Sequence, residues 1–174
     1  MIFMKYKDYI KNKKDVIAMI HLRAMPGTPK NNMSPEEIIG KAIEEAKVYQ
    51  ELGLKTVMIE NMHDHPYVKG VGPEVSTLMA IIAKKIKELG LYCGVQILSH
   101  SNEEALAIAY SAGLDFIRAE GFVYAHIGDE GYFESCAGKL LRYRKSIGAE
   151  DIMIFTDIKK KHSSNFITND VDIF

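Results

Sequence analysis

One phrase recurs along the chain and limits what it can become. A segment of helical periodicity ends, a glycine follows, and a short apolar run begins. Glu51-Leu52-Gly53-Leu54 leads into Thr56 to Glu60, and Glu88-Leu89-Gly90-Leu91 leads into Tyr92 to Leu98. Ala112-Gly113-Leu114 precedes Asp115 to Glu120, and Ile147-Gly148-Ala149 precedes Asp151 to Asp157. Glycine suits that junction because it enters the left-handed region without a Cβ penalty and so closes a helix. A further apolar run, Val16 to Leu22, opens the series. Short apolar runs alternating with helices make a parallel sheet covered by helices, so the fold class is α/β.

The helices carry their own start signals. Ser34-Pro35-Glu36-Glu37 joins a capping serine, a proline at the first helical position and an acid three residues after the cap. Ile39, Ala42, Ile43, Ala46 and Tyr49 then recur at helical spacing. Ser101-Asn102-Glu103-Glu104 reads as a second capping box, and Pro73 opens a helix whose buried side is Leu78, Met79, Ile82, Ile86 and Leu89. The last helix is expected from Ser135 through Lys145. Residues 1–14 form an N-terminal extension, read as a short surface helix leading into a single domain over 15–174.

Two architectures fit five such strands: an incomplete (β/α)8 TIM barrel, or a five-stranded doubly wound sheet. A doubly wound sheet needs a covering helix after its fifth strand, yet the residues after Asp157 read as a polar loop. The strands beginning near Asp15 and Asp151 are four units apart, about 34 residues per unit. Eight units of that size need about 270 residues, an ordinary barrel length. The 174-residue chain therefore fits about five of eight barrel units.

Composition removes several function classes. Lys and Arg number 22 against 23 Asp and Glu, a balance unsuited to a binder held by nucleic-acid phosphates. No apolar run reaches the length of a membrane span. Cys93 and Cys136 form no C-x-x-C pair, fit a reducing compartment and read as small buried hydrophobes. The N-terminal stretch has five lysines, no arginine and Asp8, which fits neither a secretory signal nor a mitochondrial leader well. The cytoplasm is expected, with the mitochondrion as the alternative.

Polar residues gather at one end of the expected strands. All six histidines (His21, His63, His65, His100, His126 and His162) fall at C-terminal strand ends or in the loops just after them. Glu60 and Asn61 close the second strand, Gln96 sits late in the third, Arg118 and Glu120 end the fourth, and Asp157 ends the fifth. Arg118 and Glu120 are two apart and so point to one side of a strand. Barrels bind substrate at that C-terminal face. The candidate catalytic residues are Glu60, Glu120, Asp157, Lys161 and His162. The candidate substrate-binding residues are His21, Asn61, Asp64, Gln96 and Arg118. His100 and His126 read as solvated loop residues. His63-Asp64-His65 has the alternate spacing of paired metal ligands, but such pairs recur by accident, so no metal is assigned and no cofactor either.

These blocks resemble the BtpA/SgcQ family of barrel proteins. The matching stretches are Ile20-His21-Leu22 with Met25-Pro26-Gly27, Ile59-Glu60-Asn61 with Asp64 and Pro66-Tyr67, and Gly94-Val95-Gln96-Ile97-Leu98. They continue through Asp115 to Gly121, Asp129-Glu130-Gly131, Leu141-Arg142-Tyr143-Arg144, and Asp157-Ile158 with Lys161-His162. The resemblance implies a TIM barrel related to ribulose-phosphate-binding barrels. It also implies three further strands, so the chain is expected to be a C-terminally shortened form with exposed barrel edges that favour self-association.

Two functions follow as expectations. The first is an enzyme acting on a small phosphorylated sugar or nucleotide-like substrate. Arg118 would hold an anionic group, Glu60, Glu120 or Asp157 would act as general acid or base, and Lys161 and His162 would carry protons. The shortened form is not expected to be an intact catalyst. The second is a non-catalytic assembly or stability factor of the photosystem I biogenesis type, which the family name implies.

Overall fold

The computed structural model describes residues 4–12, 14–157, 160 and 162–166. A short helix α1 (Tyr6–Tyr9) and one 3-10 turn (Ile10–Asn12) precede β1 (Ile17–His21). There follow α2 (Pro35–Glu51), β2 (Thr56–Glu60), α3 (Pro73–Lys87), β3 (Tyr92–Gln96), α4 (Asn102–Ala112) and β4 (Phe116–Ala119). A hairpin of β5 (His126–Gly128) and β6 (Gly131–Phe133) leads to α5 (Ala137–Ser146) and β7 (Met153–Thr156), and β8 (Ser164–Asn165) pairs back onto β5. The four punctuating glycines, Gly53, Gly90, Gly113 and Gly148, all have φ between 70° and 85°.

The large sheet runs β1-β2-β3-β4-β7, every neighbour parallel. Each strand lies beside the next unit of the chain. A doubly wound sheet reverses its order at a switch point and carries helices on both faces. Here the order never reverses, and α2, α3, α4 and α5 contact one another in sequence along one side. The fold is five units of a (β/α)8 barrel, and the doubly wound alternative is set aside.

Strand alternation divides the core in two. Ala18, Ile20, Val57, Ile59, Cys93, Val95, Ile117 and Ala119 point outward and pack under the helices. Ile17, Met19, Met58, Tyr92, Phe116, Met153 and Phe155 form the inner face. Gly94 belongs to that face for a steric reason: a Cβ there would lie 2.1 Å from the Phe116 ring. Cys93 is buried among the helices, where burial pushes its thiol up to about 12.

Three local expectations change. The N-terminal helix is not simply a surface element, because Tyr6 is 3% exposed and its ring stacks on Phe116 with centroids 5.2 Å apart. Aromatic area seals the N-terminal end of the inner face, while Lys5 and Lys7 stay outside on Asp151. The capping box forms at Ser34 and Glu37 but not at Ser101, whose hydroxyl instead accepts the Val71 N–H at 3.1 Å. The segment after β4 folds into the β5–β6 hairpin. Its strands have three residues each, too short for alternation to mark them.

Candidate active site

The inner face changes chemistry along its length. Below lie Met19, Met58 and Phe116; at the C-terminal tips stand His21, Glu60, Gln96, Arg118 and Asp157. Register aligns them: His21 is opposite Glu60, and Glu60 is opposite Gln96. Gly94 pairs with Phe116, which brings Arg118 level with Gln96 two residues on. The alternation that keeps the lower layers apolar therefore delivers a polar row at the rim.

The row is wired by ion pairs. His21 Nε2 lies 3.4 Å from Glu60 Oε2. Arg118 spans to Asp157, with Nε and Nη2 each 2.8 Å from Oδ1. Lys160 Nζ lies 2.6 Å from Glu120 Oε1, and the His100 N–H donates to Glu120 Oε2 at 2.7 Å. The three carboxylates thus differ. Both oxygens of Glu120 are engaged, and its backbone is clamped in both directions by Asn102. Asp157 is held by Arg118 through one oxygen, while Oδ2 is buried and has no partner among the described residues. Glu60, 6% exposed, has only the His21 contact among the described residues, and burial pushes its carboxyl above the usual range against the pull of His21 and Arg118. Gln96 is 2% exposed, and its Oε1 also has no partner among the described residues.

Asn61 and Asp64 serve the loops. Asn61 exchanges two hydrogen bonds with the Leu98 backbone, at 2.9 and 2.7 Å, and donates to Asp64 Oδ2 at 2.9 Å. Asp64 Oδ1 accepts the Met25 N–H at 2.7 Å. These bonds tie the loops after β1, β2 and β3 together beside the rim. Burial raises the Asp64 carboxyl, and its donors partly offset this. His162 is exposed on the turn before β8, outside the ion-paired row. Lys161 lies outside the described residues.

The structure adds residues that pattern alone did not mark. Lys160, one position before the expected Lys161, reaches Glu120. Tyr67 overhangs the rim, donates to the Met62 carbonyl at 2.8 Å, and is pushed up to about 12 by burial and by Glu60 and Asp64. His100 and His126 are not solvated loop residues: His126 is 3% exposed, and His100 is half-buried. Both rings lie against Gly121, and burial lowers the pKa of each. Spacing could not reveal this, because the hairpin that turns His126 inward is itself tertiary. Among the described residues no group of three or more His, Cys, Asp or Glu is arranged to hold a metal ion. A cavity of about 310 Å³ opens beside Asp157 and Lys160, with the segment from Gly121 to Tyr124 as one wall.

Sequential βα units with a charged inner rim define a protein of the TIM-barrel class. The chain belongs to the BtpA family, whose model matches residues 12–173. It is 50% identical over 165 residues to an uncharacterized mitochondrial protein of Caenorhabditis elegans, covering 91% of this chain and 60% of the relative. An uncharacterized protein of Methanocaldococcus jannaschii is 37% identical, over 89% of this chain and 59% of its own length. The photosystem I biogenesis protein BtpA of Synechocystis is 31% identical, over 85% and 52% respectively. The chain thus spans 52–60% of the length of these relatives. No solved structure matches.

Proposed function

We propose that the strand-tip row binds a small phosphorylated sugar or nucleotide-like molecule and supplies the acid–base residues of an enzyme site. The observation that carries this reading is Glu60. It is a buried carboxyl at a strand tip, raised above the ordinary carboxylate range by burial and in contact with His21. A buried carboxyl shifted upward in this way is the kind of group that general acid–base chemistry uses. Among the described residues Arg118 and Lys160 are the strand-tip cations available to an anionic group once their carboxylate partners yield. Glu120 and Asp157 orient those cations. The test is a calorimetric screen of sugar phosphates and nucleotides against the parent, Glu60→Gln and Arg118→Met. The reading expects a ligand that Arg118→Met weakens at least about tenfold, and whose proton uptake Glu60→Gln abolishes. Unchanged binding and unchanged proton uptake in both variants would remove it.

A second reading, an assembly factor that self-associates, draws on the sheet edges. Among the described residues β1 pairs only with β2 and β7 only with β4 in the large sheet. The name of the Synechocystis relative points the same way. Light scattering decides: a concentration-independent monomer counts against it. The reading of a reducing compartment, cytoplasm or mitochondrion, is supported by two free cysteines and, for the mitochondrion, by the name of the nematode relative. Among the described residues no helix is long and apolar enough to cross a membrane.

A further inference from the structure

The cavity of about 310 Å³ beside the rim has a lining that divides by chemistry. Phe122, Val123 and Tyr124, consecutive in the chain, give it an apolar wall. Phe122 and Tyr124 are half-buried and Val123 is exposed, so each keeps surface for a ligand. The backbone of this wall is fixed at the start of α5, where the Gly121 and Phe122 carbonyls accept the Cys136 and Ala137 N–H groups at 2.9 and 2.8 Å. Thr156, Ser163 and Asn165 add two hydroxyls and a carboxamide, and all three keep accessible surface. Asn165 is anchored in β8, paired with His126 of β5. Asp157 and Lys160 also line the cavity, and both belong equally to the strand-tip row, where Asp157 pairs with Arg118 and Lys160 with Glu120. Through these two residues the cavity and the row are contiguous.

A ligand suited to this lining has an apolar face and a polar edge. A bare sugar phosphate carries hydroxyls around its whole ring and would set some of them against the aromatic wall, where they lose water without gaining a partner. A lipid chain would leave the hydroxyls and the carboxamide unanswered. A heterocyclic base meets both demands. Its face stacks on aromatic rings, and its edge carries donors and acceptors that a carboxamide, itself both donor and acceptor, can match. The volume lies at the lower end of ordinary small-ligand pockets, in keeping with one base rather than a large cofactor. We infer that this cavity is a base pocket, and that the phosphorylated ligand of the strand-tip row is a nucleotide. The base lies against the wall of Phe122 and Tyr124, and the phosphate reaches Arg118 and Lys160. The inference rests on the reading proposed above and narrows it to one of its two ligand classes.

The experiment uses ligands without phosphate, so that its failure is distinct from a failure of the strand-tip reading. Adenosine, guanosine, cytidine and uridine, with ribose as the control that lacks a base, are titrated into the parent, Phe122→Leu and Tyr124→Leu. Circular dichroism checks that each variant is folded. The base pocket predicts that at least one nucleoside binds at least about tenfold more tightly than ribose, and that Phe122→Leu or Tyr124→Leu cuts this advantage at least about threefold. In the parent, NMR contacts between base protons and the ring protons of Phe122 or Tyr124 accompany binding, a readout that needs no variant. The base pocket is overturned if no nucleoside is preferred to ribose, if the preferred one makes no ring contacts, or if both folded variants keep the full advantage. The phosphate is tested apart, by ribose 5-phosphate against ribose in the parent and in Arg118→Met. A phosphate that adds no affinity defeats the strand-tip reading, while the nucleosides alone decide the base pocket.

Discussion

Arg118 leaves the fourth strand of the sheet and grips Asp157 beyond the fifth through two nitrogens, each 2.8 Å from the same carboxylate oxygen. The pair is a cross-strand strut at the site rather than a surface ornament. The Asp157 side chain is 11% exposed, but that of Arg118 is 39% exposed, so solvent screens part of the attraction. Arg118→Met is expected to cost about 1 kcal/mol in urea unfolding. A double-mutant cycle with Asp157→Asn should return a coupling of similar size; a coupling near zero would show that the strut contributes nothing to the fold.

Gly94 tests the packing of the inner face. Gly94→Ala places a methyl inside the Phe116 ring, so the strand or the ring must move. The expected loss is about 3 kcal/mol, at the upper end of overpacking costs, with partial rescue by Phe116→Leu. Thermal unfolding of the two variants and their combination checks this.

Tyr6 tests whether the N-terminal helix belongs to the core. Tyr6→Ala should cost about 3–5 kcal/mol, the range for emptying an aromatic site. Tyr6→Phe keeps the ring and removes the hydroxyl, which donates to Asp15 and also bonds Thr56, and should cost about 0.5–1.5 kcal/mol. A nearly neutral Tyr6→Ala would return the helix to the surface role that its lysines suggest.

Stability should depend on pH in two opposite ways. For Glu60 the folded pKa lies above the unfolded one, so the folded state holds its proton longer. Stability then falls as pH rises from the ordinary glutamate range, about 4.3, through the raised folded value, and Glu60→Gln removes that fall. For His100 and His126 the folded pKa is depressed, so the unfolded state takes up protons first. Stability is lost as pH drops below about 6.5 toward those lower values, and His126→Phe reduces this loss. Melting temperatures from pH 4 to 8 for the parent and both variants separate the two trends.

Much of this was readable before any coordinates. The glycine phrase locates four of the five sheet strands, because helix closure and strand entry are local events. Alternation within strands places His21, Glu60, Gln96 and Arg118 on one face. Which carboxylate is free was not readable. Glu60 and Glu120 both end a strand, and only tertiary contacts separate a lightly paired acid from one held at both oxygens. The buried His126 was equally hidden, since a three-residue strand has no periodicity to read and its partner Asn165 lies far along the chain in β8. Ser101 shows the limit of local motifs: the capping sequence is present, but the Val71 backbone claims its hydroxyl.

The most direct test of the strand-tip site is a carbon-detected NMR titration of the Glu60 carboxyl, assigned with Glu60→Gln, with and without ribose 5-phosphate. The site as described predicts titration above the ordinary glutamate range, and a further displacement when the sugar phosphate binds. A Glu60 that titrates like a solvent-exposed glutamate and ignores the ligand would contradict it.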